Sequence, residues 1–249
     1  MAPAHDLTNW PYLSYQYNLN KRTEQATSPM RIHDLSLTVS HGMPAFPGEP
    51  TAGFVPFATI DRDDCEMWQI SLFTQIATHL DAPSHFIPGG RTCEAIELDR
   101  CVGPATVVRA DGAQELGVEA FEPVLDDLRR TRRALVATGW DARFGADDYF
   151  TAYPSMTREA AHLLVEAGVV FLGLDTPSPH TTDFRPLHEA LFANEMVIAE
   201  CLVGVTALSA PEVLLVALPL KLAGLDGSPV RAIAIEGAAL APAQDGDRA

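Results

Sequence analysis

The chain is 249 residues long, 47% hydrophobic and 20% charged, with a formal net charge of −16. Its length supports one large domain or two small ones with a real core, and its acidity disfavours nucleic acid and anionic membranes as partners. No apolar run reaches the ~18 residues of a transmembrane helix, residues 1–30 hold no apolar signal-peptide core, and the four cysteines form no CxxC pair, so free thiols and a cytoplasmic location are expected.

Residues 1–28 are polar and aromatic without periodicity. Trp10, Tyr12, Tyr15 and Tyr17 predict an N-terminal arm that packs on the body or on a partner subunit, ahead of a single domain over 29–249. Ile32 to Val39 alternates as a strand. Pro44, Pro47, Gly48 and Pro50 then make a turn-rich stretch. Met67 to Ile76 reads as a second extended run. Ala105 to Arg109 and Ala134 to Thr138 are short buried strands. Helical spacing of Phe121, Val124, Leu125 and Leu128 covers Val118 to Arg130. Thr157 is placed as an N-cap for a helix that runs to Ala167 and stops at Gly168. Val169 to Leu174 is a strand and Leu187 to Asn194 a short helix. Met196 to Val203, Val213 to Ala217 and Val230 to Ile235 complete the strands, and residues 240–249 form a small polar tail. Interleaved strands and helices give an α/β class.

The most informative run is Thr78 to Phe86. A strand sets residues i and i+2 on one face, so His79 and Asp81 point the same way and can grip one ion. Pro83 lacks an N–H and ends extended pairing. The chain bends there, which lets His85 return to the same site. Of the eight histidines, His5, His33, His41 and His162 read as structural or exposed. Downstream, His188 lies in the short helix and Glu200 interrupts an otherwise apolar strand. A carboxylate in such a strand has to be paired, hydrogen-bonded or metal-bound, because an unpaired buried charge is too costly. There is no GxSxG nucleophile elbow and no cysteine beside a histidine motif, which disfavours a covalent route.

The chain resembles the metal-dependent cyclase-type hydrolases that include bacterial kynurenine formamidase and isatin hydrolase. The resemblance rests on Pro44 to Glu49, Gln75 to Phe86, Gly173 to Ser178, His188 to Glu200, Leu218 to Lys221 and Gly227 to Ala232. It implies a swivelling β/β/α fold with a mixed sheet core. It implies hydrolysis of an amide or ester, such as a cyclic or aryl amide or a lactone, of a small aromatic substrate. It implies His79, Asp81, His188 and Glu200 as metal ligands and His85 as the proton-transfer group. Phe46 falls where a substrate-contacting aromatic is expected. The family motif usually opens with a histidine four residues before His79, and here that residue is Gln75. A neutral amide oxygen is a weak zinc ligand, so a single divalent ion, Mn²⁺ or Zn²⁺, is expected, and Gln75 is read as a substrate contact. His180 is a further candidate for facing the site. The aromatic arm and the resemblance predict a homodimer or homotetramer. Two alternatives stay open: a cyclase in aromatic polyketide tailoring, and a metal-free binding protein on the same fold.

Overall fold

The computed structural model describes residues 30–237, so the expected N-terminal arm and the polar tail lie outside the described residues. In chain order the first elements are β1 (Arg31–Asp34), β2 (Gly53–Ala58), α1 (Ile60–Asp63), β3 (Met67–Ser71), β4 (His79–Asp81), α2 (Leu98–Cys101) and β5 (Val102–Arg109). They are followed by β6 (Glu115–Leu116), α3 (Leu125–Thr131), β7 (Arg133–Ala137), β8 (Ser155–Met156), α4 (Arg158–Glu166) and β9 (Phe171–Leu174). Last come α5 (Phe184–Leu191), β10 (Val197–Glu200), β11 (Glu212–Val216), β12 (Gly227–Pro229) and β13 (Ile233–Glu236).

Nine strands form one mixed sheet in the order β1-β13-β11-β5-β7-β9-β10-β4-β12. Its centre, β5-β7-β9-β10, is parallel, and both flanks are antiparallel. The sheet curls on itself. Ser36, just past β1, bridges Leu202, just past β10. Leu80 of β4 shares one buried cluster with Leu215 of β11 and Ala234 of β13, from the far side of the sheet.

Strand alternation separates two cores. Leu135, Ala137, Phe171, Val197 and Ala199 face the concave interior. Ala134, Val136, Leu172, Leu174 and Ile198 face outward and are covered by Leu128 of α3, Ala160, Ala161 and Leu164 of α4, and Leu187 and Leu191 of α5. The parallel centre is buried on both faces, which is why β7 and β9 read as continuous apolar runs. Gly173 is required in that centre: a Cβ there would stand 2.7 Å from both Leu135 and Leu202 side-chain carbons.

Several boundaries differ from the sequence reading for local reasons. The run at Val118 to Arg130 is two 3₁₀ turns, Val118–Ala120 and Glu122–Val124, before α3. Pro123 lacks the N–H that a continuous helix would need there. The expected strand Met67 to Ile76 stops at Ser71, and the stretch Thr74 to Thr78 turns sharply, with Ala77 in the left-handed region at φ 57°. β3 pairs instead with β2, a strand that follows the proline-rich stretch and was not expected. Thr157 caps α4 as predicted, its Oγ1 accepting the Ala160 N–H at 3.1 Å, and Gly168 follows at φ 77°.

Candidate metal centre and cavity

β4 is three residues long and paired on both edges. Its His79 lies opposite Glu200 of β10 and Pro229 of β12, and its Asp81 lies opposite Ile198 and Gly227. Leu80 enters the concave core, so His79 and Asp81 project from the outer face. Glu200 shares the outward phase of Ile198 on β10. All three are buried, and His188 of α5, equally buried, packs down onto them. Thr78 bolts this corner together: its Oγ1 donates to the Cys201 carbonyl at 2.6 Å and accepts the Leu37 N–H at 2.9 Å.

The backbone fixes both imidazoles. His79 Nδ1–H donates to the Ala77 carbonyl at 2.9 Å, and His188 Nδ1–H donates to the Phe184 carbonyl at 2.7 Å. A carbonyl only accepts, so in both rings Nδ1 carries hydrogen and Nε2 is left for the site. His79 Nε2 lies 3.4 Å from Glu200 Oε2 and 3.6 Å from Asp81 Oδ1. His188 Nε2 lies 3.4 Å from Glu200 Oε1 and 3.7 Å from Asp81 Oδ2. Phe86 stacks on the His188 ring at 4.3 Å and holds its plane.

Nitrogen lone pairs and carboxylate oxygens therefore face one another in a buried space. Such a set needs added protons or a cation. His79 Nε2 and both Asp81 oxygens are buried without a hydrogen-bond partner. Ligand atoms of His79, Asp81 and Glu200 all lie within 4.8 Å of one another. Donors about 2.1 Å from a tetrahedral ion stand about 3.4 Å apart, so this donor set fits a small divalent cation. Without one, burial and the Glu200 charge push the Asp81 carboxyl up to about 6. Burial opposes charge on His79, but Glu200 and Asp81 outweigh it and raise that imidazole to about 9.

A cavity of about 350 Å³ opens beside these groups. Phe46, Phe144, Phe150 and Phe184 line it, with Phe46 edge-on to Phe150 at 5.7 Å and to Phe184 at 5.8 Å. His85 reaches it from the 3₁₀ turn Pro83–His85, and Gln75 lines it too. His85 Nδ1–H donates to Asp226 Oδ2 at 2.9 Å, leaving Nε2 as its basic nitrogen. Burial favours the neutral imidazole, yet Asp226, Asp81 and Glu200 raise its pKa above the ordinary 6.5. The hydrogen bond from His85 in turn holds Asp226 well below the usual carboxylate range. Glu49 lines the same cavity, and burial raises its carboxyl despite the nearby His79 and His85.

Two of these groups carried no role in the sequence. Asp226 immediately precedes the Gly227 to Ala232 segment, and nothing local distinguishes it from a loop aspartate. Glu49 sat inside a recognised segment without an assignment. His180, by contrast, does not line the cavity. Its Nδ1 accepts the N–H groups of Thr182 and Asp183 at 3.0 and 2.9 Å and shapes the entry to α5. Asp175 is structural as well, accepting the Thr138 and Gly139 N–H groups at 2.7 Å each. Cys201 lines the cavity, but burial pushes its thiol up to about 12.

A family model for cyclases matches residues 33–181. The chain belongs to the cyclase family. Among relatives of this cyclase-family chain, the kynurenine formamidase of Paracidovorax citrulli is 32% identical over 213 residues, covering 83% of this chain and 97% of the relative. That of Bordetella petrii is 34% identical over 209 residues, covering 82% and 97%. The structure of isatin hydrolase A from Labrenzia aggregata bound to benzyl benzoate superposes with a TM-score of 0.72 at 25% identity, covering 83% of this chain and 93% of that one.

Proposed function

We propose that this cyclase-family chain is a metal-dependent hydrolase that opens an amide, or a related ester, of a small aromatic substrate. One observation carries the reading: two imidazoles, locked by backbone carbonyls, aim Nε2 at two buried carboxylates beside an aromatic cavity. The kynurenine formamidase and isatin hydrolase relatives support it. His79, Asp81, His188 and Glu200 would hold one divalent ion, Mn²⁺ or Zn²⁺, both of which accept mixed imidazole and carboxylate donors. When bound, such an ion lowers the pKa of a water and polarises a carbonyl oxygen.

The chain's own residues do the rest. Phe46 and the three phenylalanines beside it hold an aromatic ring and exclude bulk water. His85 Nε2 takes the proton of the attacking water and delivers it to the leaving nitrogen or oxygen, a role that imidazole fills in either direction of proton transfer. Asp226 fixes the His85 tautomer and stabilises the imidazolium formed in between.

We assign the expected self-association to the β2–β3 hairpin. Val55, Phe57, Met67, Trp68 and Ile70 on the β2–β3 hairpin, with Ile60 beside them, are each between 47% and 68% exposed. A lone two-stranded sheet is marginal in water. The register divides them between the two faces, with Trp68 and Ile70 on the face of Pro56 and Phe54, and Val55 on the face of Gln69, so a second copy of the chain would cover them by wrapping the hairpin.

Elemental analysis of purified protein, with hydrolysis of N-formylkynurenine, isatin and simple lactones, tests the function. One ion per chain and turnover on any of the three supports it. Metal without hydrolysis favours carbon–carbon cyclisation, and absence of metal favours a binding protein.

A further inference from the structure

Gln75 stands where the resemblance leads one to expect histidine, and its hydrogen bonds give it a different job. Its Nε2 donates to Asp226 Oδ2 at 3.0 Å, and His85 Nδ1–H donates to that same oxygen at 2.9 Å. The Asp226 main chain is anchored too: its carbonyl accepts the Ala82 N–H at 2.8 Å, at the end of β4 where the His85 turn begins. Gly227 makes the arrangement possible. A Cβ at Gly227 would stand 2.7 Å from Gln75 Nε2 and 2.6 Å from the Leu80 carbonyl oxygen. Gln75 therefore lies against a bare backbone on one side and donates to a carboxylate on the other.

We propose that Gln75 is a positioning residue that acts through Asp226 on His85, and that its amide donor is not a substrate contact. The proposal rests on the reading of His85 as the proton carrier. Thr74 is a further side-chain hydrogen-bond partner of Asp226, but a carboxylate whose His85-bound oxygen has no second donor can still rotate about its side-chain torsions and carry His85 with it. A second donor on the same oxygen fixes the carboxylate, and with it the direction in which His85 Nε2 points into the cavity. A misdirected base slows proton transfer without weakening binding of the substrate ring, so the loss belongs in kcat.

The test uses the 249-residue, metal-loaded chain with N-formylkynurenine as probe, in Gln75→Leu, Asp226→Ala and the double variant. Gln75→Leu is expected to lower kcat roughly tenfold with KM within about twofold, and Asp226→Ala to lower it roughly a hundredfold, the usual range for groups that orient an active residue. The double variant is expected to be no worse than Asp226→Ala alone, because Gln75 then has no acceptor left to hold. Fully additive losses, or a raised KM at unchanged kcat, would make Gln75 a substrate contact and overturn the proposal. A second readout needs no activity. With ¹⁵N-glutamine labelling, the Gln75 side-chain amide of the unaltered protein is expected to exchange slowly and to revert to free-amide behaviour in Asp226→Ala. Free-amide behaviour in the unaltered protein also overturns the proposal. If the unaltered protein hydrolyses none of the panel, the proposed function fails while the amide signals still decide the hydrogen bond.

Discussion

The outer face of β4 and the β2–β3 hairpin are each the reverse of what their surroundings call for. At β4 two carboxylates and two imidazoles are buried together beneath α5. On the hairpin, Trp68, Phe57 and Ile70 stand more than half exposed. A folded chain generally avoids both arrangements. On the proposed reading something outside the chain completes each: a cation in the first case, the apolar surface of a second copy in the second. The difference is one of tolerance. The buried site fails if one group is removed, because the remaining charges lose their balance. The hairpin loses area by degrees.

The largest effect expected is at the site. Asp81→Ala should empty the metal centre and cut turnover by roughly 10³-fold or more, while leaving the association state unchanged. Full occupancy by elemental analysis would break the comparison. His85→Ala should keep the metal and lose about 10²–10⁴-fold in kcat, the usual worth of acid–base help. An unchanged kcat would remove His85 from the mechanism. The converse change, Trp68→Glu with Ile70→Glu, should leave metal content intact and convert a dimer to a monomer by light scattering. A wild-type chain that is already monomeric would show that the hairpin has no such partner.

Smaller effects sharpen the picture inside the cavity. Phe46→Ala removes an aromatic edge contact and should raise KM by about 2–10-fold, in line with ~0.5–1.5 kcal/mol for such a pair. The pH profile carries a sign. His85 must be neutral to accept a proton, and Asp226 raises its pKa above the ordinary 6.5. Activity should therefore fall as pH drops through that raised value. Asp226→Asn removes part of the raise, so the acid limb of kcat/KM should move to lower pH. A limb that stays in place would mean that His85 is not the titrating base.

Much of the fold was legible where one period dominated. The apolar runs at Ala134 and Val169, and the capped helix after Thr157, carried their own signals. The hairpin was not legible, because Pro56 and the preceding prolines masked β2, and β3 pairs with that unseen strand. At the site, the phase of His79 and Asp81 followed from β-pleat alternation. The link from Asp226 to His85 spans 141 positions and leaves no local pattern. Phe144 and Phe150 were equally hidden, since cavity walls are set by tertiary packing and not by sequence period.

The double pairing of β4 has an evolutionary consequence. A strand of three residues held on both edges has no half-step: shifting it by one residue would turn Leu80 toward the cation site and drive His79 and Asp81 into the apolar interior. Surface loops outside the cavity wall tolerate changes of single residues in length. The segment from Ala77 to Asp81 does not. The cavity wall can change one aromatic at a time, but a single-residue insertion or deletion within β4 inverts the facing of its side chains all at once.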